Sequence, residues 1–301
     1  MKLPISLVIN TKNCEKTLER SLKSANFADE IVVVDMKSTD RTVAIAKRYA
    51  KKVYFYPDVG YVEPARNFAI AKAKNQWIFV LDADEEIPPD LAEKISHLIA
   101  QKSECNCFFI PRKNIIFGKW IQKTGWWPDF QPRLFKKAAV TWKEAVHSLP
   151  EITGNTEYLP ADQKLAIIHH NYASISDYLL RLDRYTSIAA TGKPSVQQFS
   201  SAALINRFNQ ELAKRLFLEK GFEEGIHGVA LSFLQAMYQF VAYLKVWELS
   251  GRKDDVGTLT ETLCQIEEMK QTLAYWIADY KIQHTTGLSA WWWRVRRRGK
   301  F

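Results

Sequence analysis

The sequence is poor in cysteine, and the few it has form no pattern. Cys14, Cys105, Cys107 and Cys264 match neither the ligand spacing of a zinc site nor a disulfide framework. They read as reduced thiols of the cytosolic kind. On one strand, Cys105 and Cys107 would face the same side. No stretch of 18 uncharged apolar residues occurs. The nearest, Val229 to Leu244, is interrupted by Ser232, Gln235 and Gln239, and reads as a buried amphipathic helix rather than a span. The opening MKLPISLVINTKN has too short an apolar run for a secretory leader and no cleavage-like site. No internal repeat is visible. With 47% hydrophobic and 25% charged residues, a disordered or collagen-like chain is excluded. A length of 301 residues allows one large domain, or a medium one with an appendage.

The formal net charge is +9, but it is unevenly placed. Arg294, Arg296, Arg297, Arg298 and Lys300 all fall in the closing WWWRVRRRGKF. A nucleic-acid-binding module would spread its cations over one face. A cluster beside three tryptophans instead suits a membrane-surface anchor. No nucleic-acid partner is expected.

The first hundred residues alternate short apolar runs with helical spacing. Strands are expected at Ile5 to Ile9, Ile31 to Val34, Val53 to Tyr56 and Trp77 to Leu81. Helices are expected at Glu15 to Ser24, Thr42 to Tyr49 (after Ser38 and Asp40, which suit an N-cap), Pro64 to Ala73 and Leu91 to Ala100. Such an order implies an α/β fold, a mostly parallel sheet with helices on both faces. Ligands then bind beyond the carboxyl ends of the strands. Thr11 and Asn13, Asp35, and Asp82 and Asp84 stand at those ends. Phe108 to Arg112 and Ala166 to His169 read as further strands. The stretch 114–150, rich in aromatics, reads as strands and loops over the crevice. From Ser176 the pattern turns helical: Tyr178 to Ala190, Ala202 to Glu219, Val229 to Leu249 and Leu259 to Tyr280, with Gly221, Gly225 and Gly228 at one join. The expected organisation is a catalytic domain at 1–190, a helical region at 191–290 and a basic aromatic tail at 291–301. The aromatics Phe217, Phe222, Phe233, Tyr238, Phe240, Tyr243 and Trp247 are expected in a helical core, and any exposed one would mark an interface.

The chemistry centres on WIFVLDADEE, residues 77–86, where a buried strand delivers two carboxylates one residue apart. Such a pair suits a hard divalent cation that neutralises a diphosphate. Asp35 follows a second strand and could accept hydrogen bonds from a base or ribose. Asp40 serves as a helix cap. Arg66 and Asn67 lie near a helix start.

The runs SLVINTKN, IVVVD followed by STDRT, ARNFA and LDADE, taken in this order, resemble family 2 glycosyltransferases of the GT-A fold. More narrowly, the chain is similar to the bacterial branch that includes lipopolysaccharide inner-core β-1,4-glucosyltransferases. PRKNIIFGKWI, GWWPDFQPRLF, His169 with Tyr172, DYLLRLDRYT and GFEEGIHG extend the likeness over residues 3–250. The resemblance implies a Rossmann-like nucleotide-sugar-binding domain, with Thr11, Asn13, Asp35 and Arg66 beside the nucleotide. It implies Asp82 and Asp84 at Mg2+ or Mn2+, Asp84 the more direct ligand, with His169 completing the site. Asp129 is the implied catalytic base, and Gln131 and Arg133 shape the acceptor or diphosphate side. Trp126 and Trp127 serve as sugar or lipid walls, or as core. The implied reaction moves a sugar with inversion from a nucleotide diphosphosugar, UDP-hexose by resemblance, to a hydroxyl of an envelope glycan or lipid-linked acceptor.

The chain departs from the family pattern in two places. Met36 and Lys37 follow Asp35 where members often carry a small residue and glycine, and Ser148 follows His147 where glutamate is common. His147 therefore reads as structural. Among rivals, a glycoside hydrolase needs carboxylates on opposite faces of a bond, which Asp82 and Asp84 are too close to provide. A nucleotidyltransferase needs a glycine-rich basic loop, and NTKNCEKT has no glycine. A nucleotidyltransferase-like enzyme and an inactive nucleotide-sugar-binding scaffold are the alternatives kept. The resemblance and the tail together point to a cytoplasmic protein at the inner face of the membrane, with self-association through the helical region as a further expectation.

Overall fold

The computed structural model describes residues 2–101, 104–143, 150–191, 199–253 and 256–298. His147 and Ser148 lie outside the described residues. The chain divides into two compact units, one of residues 1–120 and 126–173, the other of 121–125 and 174–301.

In the first unit the elements run β1 (Leu3–Thr11), α1 (Leu18–Ser24), β2 (Ala28–Asp35), α2 (Thr42–Tyr49), β3 (Lys52–Phe55), α3 (Glu63–Lys72), β4 (Trp77–Val80), β5 (Glu85–Glu86) and α4 (Pro89–Ala100). There follow β6 (Cys105–Ile116), β7 (Lys119–Trp120), β8 (Asp129–Lys136), β9 (Val140–Thr141), β10 (Glu151–Ile152), β11 (Asn155–Tyr158) and β12 (Ile167–His170). The main sheet has the order β3-β2-β1-β4-β8-β6-β12-β5. Strands β3, β2, β1 and β4 are parallel, as are β6 and β12, whereas β8 runs antiparallel between β4 and β6. The order reverses at β1, so chain on either side of β1 leaves a crevice at its carboxyl end.

Alternation along the buried strands sends side chains to both faces. Ile5, Leu7 and Ile9 pack with Leu18 and Leu22 of α1 and Leu91 and Ile95 of α4. Val8, Val32, Val34, Ile78 and Val80 pack on the opposite face with Ala69 and Ile70 of α3 and with Trp142. A strand covered on both faces has no polar alternation, which is why these runs are continuously apolar. Each fully buried Leu or Ile contributes about 1.5–3 kcal/mol.

Two sequence expectations need correction. Residues 129–136, expected among strands and loops laid over the crevice, form a central strand of the main sheet itself. Cys105 and Cys107 do not share a face: Cys105 joins the core under α1 and α4, and Cys107 the opposite one. The pairing with β11 skips Asn106, and an extra residue at such a bulge reverses the alternation. The cysteines of the described residues are free. Burial pushes the Cys14 thiol up to about 11 and the Cys107 thiol up to about 12, so neither is a ready nucleophile.

The second unit is helical: α5 (Ile175–Thr191), α6 (Ser201–Ala213), a π turn over Lys214–Leu218, a 3-10 turn over Gly221–Glu224, α7 (Ile226–Leu249), α8 (Leu259–His284) and α9 (Gly287–Arg298). Helix α5 is tied to α7: Lys245 Nζ donates to Asp183 Oδ1 at 2.6 Å, and Ala190 packs with Phe199, Tyr243 and Val246. The glycines of GFEEGIHG serve packing here, since a Cβ on Gly228 would collide with the Gly221 carbonyl oxygen. Helix α7 is long and apolar enough, by length and composition, to cross a membrane. One face, with Leu231, Ser232, Ala236, Tyr243 and Val246, is buried; Ile226, Val229, Phe233 and Met237 are exposed on another. Phe233 thus departs from the expected aromatic core. Residues 291–298 of the region expected as a tail belong to α9, which starts at Gly287 and packs on α8.

Candidate active site

Register places the first group of residues. Thr11 and Asp35 are paired neighbours at the carboxyl ends of β1 and β2. Both are buried, and Thr11 Oγ1 donates to Asp35 Oδ2 at 3.0 Å. Ser38 donates its backbone N–H to Asp35 Oδ1 (2.8 Å) and its hydroxyl to Oδ2 (2.6 Å). Asn13, at φ 47°, accepts from the Thr39 backbone N–H at 2.8 Å and donates its own backbone N–H to Ser38 Oγ. Asp35, expected to meet the base, is enclosed, and both its oxygens brace this double loop. Asp40 Oδ1 accepts from the Thr42 backbone N–H at the start of α2, as a cap should.

Lys37 sits at φ 60°, in the left-handed region that favours glycine. The departure from the family's glycine is therefore a backbone cost carried by this chain. Lys37→Gly is expected to stabilise the protein by about 0.5–1 kcal/mol, because the strain removed exceeds the extra unfolded-state entropy of glycine. Urea midpoints of the two proteins measure it; an unchanged or lower midpoint would show that the lysine side chain holds the loop.

The second group spans β4, β5 and β8. Asp82 follows β4, and both its oxygens are taken by arginines: Oδ1 by Arg66 Nη2 at 2.9 Å, Oδ2 by Arg133 Nη2 at 2.6 Å. Burial pushes the Asp82 carboxyl up, but Arg133, and after it Arg66, overcome this and hold it far below the usual carboxylate range. Asp82, expected at the metal, is here the counter-ion of two guanidiniums. Arg133 bridges it to Glu85 Oε1 at 2.6 Å. Glu85 is completely buried and its Oε2 accepts from the Asp82 backbone N–H. Arg133, expected to face acceptor or diphosphate, is only 2% exposed and works inside the fold. Arg66 lies over the Trp142 ring at 5.6 Å, and its buried Nε has no partner among the described residues.

The third group is built across four neighbouring strands. Arg112 and Asn114 are two residues apart on β6 and so share a face. Asp129 of β8 pairs with Arg112, and His169 of β12 pairs with both Asn114 and Glu85. Asp129 Oδ2 accepts from Arg112 Nε (2.9 Å), Arg112 Nη2 (2.6 Å) and Asn114 Nδ2 (3.0 Å); Oδ1 accepts from Gln131 Nε2 (2.8 Å). Gln131 thus orients Asp129. Burial pushes the Asp129 carboxyl up, but Arg112 and the amides of Asn114 and Gln131 hold it below its ordinary value.

Asn114 donates also to the Trp126 carbonyl, which fixes its amide orientation. Its Oδ1 then accepts from His169 Nδ1 at 2.6 Å. In the neutral ring this leaves the Nε2 lone pair facing outward, 3.7 Å from Asp84 Oδ1. Asp84 and His169 fit a divalent cation, with Asn114 as the partner that sets the tautomer. Among the described residues no three His, Cys, Asp or Glu side chains gather for a metal. Asp84 and His169 are thus the two side chains that could hold a divalent cation, with phosphate oxygens and water as its other ligands. Trp126 and Trp127 are half-buried, edge-on to Tyr172 and Trp120 respectively.

Sequence reasoning assigned no role to Arg112, Asn114 or Glu85. The available signal was a strand carrying arginine and asparagine on one face, since buried polar residues of that kind need partners.

The sequence model described as Glycosyl transferase family 2 matches residues 6–149. The chain is 29% identical over 264 residues to an uncharacterized glycosyltransferase of Rickettsia typhi, covering 84% of this chain and 89% of that one. It is 25% identical over 267 residues to the lipopolysaccharide core biosynthesis glycosyltransferase LpsC of Rhizobium meliloti, covering 84% and 95%. Among solved structures, residues 1–349 of TarS from S. aureus in complex with UDP are similar at 16% identity and TM-score 0.43, covering 83% of this chain and 92% of that one. The match over residues 6–149, the stretch that carries Asp35, Asp82 and Asp129, makes this chain a glycosyltransferase similar to those of family 2.

Proposed function

We propose that this nucleotide-sugar glycosyltransferase moves a hexose from a UDP-sugar, with inversion, to a hydroxyl of an envelope glycan or lipid-linked acceptor of the lipopolysaccharide inner-core kind. The observation that carries the reading is Asn114. One buried amide holds both Asp129 and the histidine that faces Asp84. Asp129, kept ionised, takes the proton of the acceptor hydroxyl as it attacks the anomeric carbon. Gln131 and Arg112 hold the carboxylate in one orientation, so little reorganisation is needed at that moment. Arg66, with its unpartnered Nε, stands ready for a diphosphate oxygen. Mg2+ or Mn2+ at Asp84 and His169 would neutralise charge on the leaving nucleoside diphosphate. The similarity to LpsC, by its name a lipopolysaccharide core enzyme, supports an envelope acceptor. We place the reaction at the cytoplasmic face of the membrane.

A panel of nucleotide sugars, with and without Mn2+, scored by thermal shift and by donor hydrolysis, tests the proposal. A UDP-hexose at a hundred times its dissociation constant should stabilise the folded protein by about 2.7 kcal/mol. The shift should shrink when the cation is chelated. A shift confined to another nucleotide, or one indifferent to chelation, would overturn the donor or the cation assignment respectively.

A further inference from the structure

Helix α9 carries Leu288, Trp291, Trp292 and Val295, spaced i, i+3, i+4, i+7, which puts them on one face. All four point away from the packed side of the helix: they are 85%, 61%, 47% and 51% exposed. The inward side is defined by buried Ala290 and by Arg297, whose guanidinium pairs with Asp279 of α8 and lies over the Tyr275 ring. At 100° per residue, Arg294 and Arg296 fall on the two margins of the apolar face. Both are exposed, and Arg296 stacks on the Trp292 and Trp293 rings at 5.0 and 5.4 Å. The helix has no acidic residue.

We propose that the outward face of α9 is an interfacial helix that docks on an anionic lipid surface. Leucine, valine and two tryptophans would enter the boundary between headgroups and acyl chains, where an indole places its apolar ring and its N–H in suitable surroundings. The two flanking arginines would lie at headgroup level, opposite lipid phosphates. Their charge complements an anionic bilayer. A second copy of this chain is a poorer occupant, because a two-fold contact through this face would set Arg294 and Arg296 against the same residues of the other copy. The inference does not depend on the donor or acceptor proposed above.

The test uses the full chain and sedimentation with vesicles. One set is phosphatidylcholine alone, and the other contains about 30 mol % phosphatidylglycerol, whose surface charge attracts basic segments. Binding should favour the anionic vesicles and weaken in about 1 M salt, where the screening length falls to about 3 Å. Arg294→Gln with Arg296→Gln should lower affinity for anionic vesicles about 30-fold. Trp291→Ser with Trp292→Ser should lower it by about tenfold or more. All four side chains are exposed, and an unchanged urea midpoint confirms the fold of each variant. Equal binding to both vesicle types, or variants that bind as the parent does, would overturn the proposal. So would a dimer that the tryptophan pair of substitutions converts to monomer with vesicle binding unchanged, which would make the face a self-association surface.

Discussion

Asp129→Asn will reduce turnover by about 10²- to 10⁴-fold, the range lost with a positioned general base. The substitution keeps shape but removes the negative charge that accepts the acceptor's proton. Donor binding should hardly change, because Asp84, His169, Arg66 and the Thr11–Asp35 loop are untouched. Arg112 keeps a second carboxylate, Glu85, at 3.2 Å, so the variant should fold. Single-turnover rates and donor thermal shifts measured together separate these effects; turnover within about threefold of the parent would remove Asp129 from the mechanism. The pH dependence adds a constraint. Against the upward push of burial, Arg112 and the two amides keep this carboxyl below its ordinary value, so its ionised, base-competent form survives to lower pH than a free aspartate would. Asp129 itself should therefore contribute no loss of rate between pH 7 and 5, and a fall over that interval belongs to another group. The same depression makes it a weaker base, which suits a proton transfer that lags behind bond formation at the anomeric carbon.

The elements legible in the sequence share one property: their partners are generic. Strands β1, β2 and β4 are apolar because both faces are covered, and any apolar neighbour satisfies them. Helix α2 spans the expected Thr42–Tyr49, since its start is set locally by Asp40. Strand β8 could not be read in this way. Its sequence DFQPRLFK mixes Asp129, Gln131 and Arg133 with a proline, a composition that argues against a central strand. The structure resolves each objection with a distant partner. Pro132 sits beside a register shift opposite Phe109, so the ladder tolerates its missing N–H. Arg133 is neutralised from positions 82 and 85, and Asp129 from position 112. Such pairings depend on sheet order, not on local spacing. For the same reason the strand ends that carry the candidate residues were legible, whereas what surrounds Asp82 was not. Its position in the acidic run was visible, whereas the two arginines that occupy it come from α3 and β8.

Arg133 is also where the largest loss of stability is expected. Arg133→Met would leave completely buried Glu85 and neighbouring Asp82 short of a shared cation, and breaking a buried pair from one side costs about 3–5 kcal/mol. Glu85 keeps Arg112 and Asp82 keeps Arg66, so the loss should fall short of unfolding at neutral pH. Adding Glu85→Gln to Arg133→Met should recover part of the deficit, because the uncompensated charge is then gone; urea unfolding of the single and double variants measures the coupling. Acid provides a second reading. Burial opposes the ionised form of Asp82, but Arg133 and Arg66 hold its native carboxyl far below the value of about 3.8 that it takes when unfolded. Its contribution is thus fully present above that value and is lost as pH falls below it, since the unfolded chain takes up the proton first. With Arg133 replaced, the native carboxyl moves back toward its unfolded value and this acid-side slope should flatten. A variant with the parent's slope below pH 4 would mean that Arg66 alone depresses Asp82. Arg133 would then be holding Glu85, and through it the register of β5 against β12, rather than the carboxylate at the end of β4.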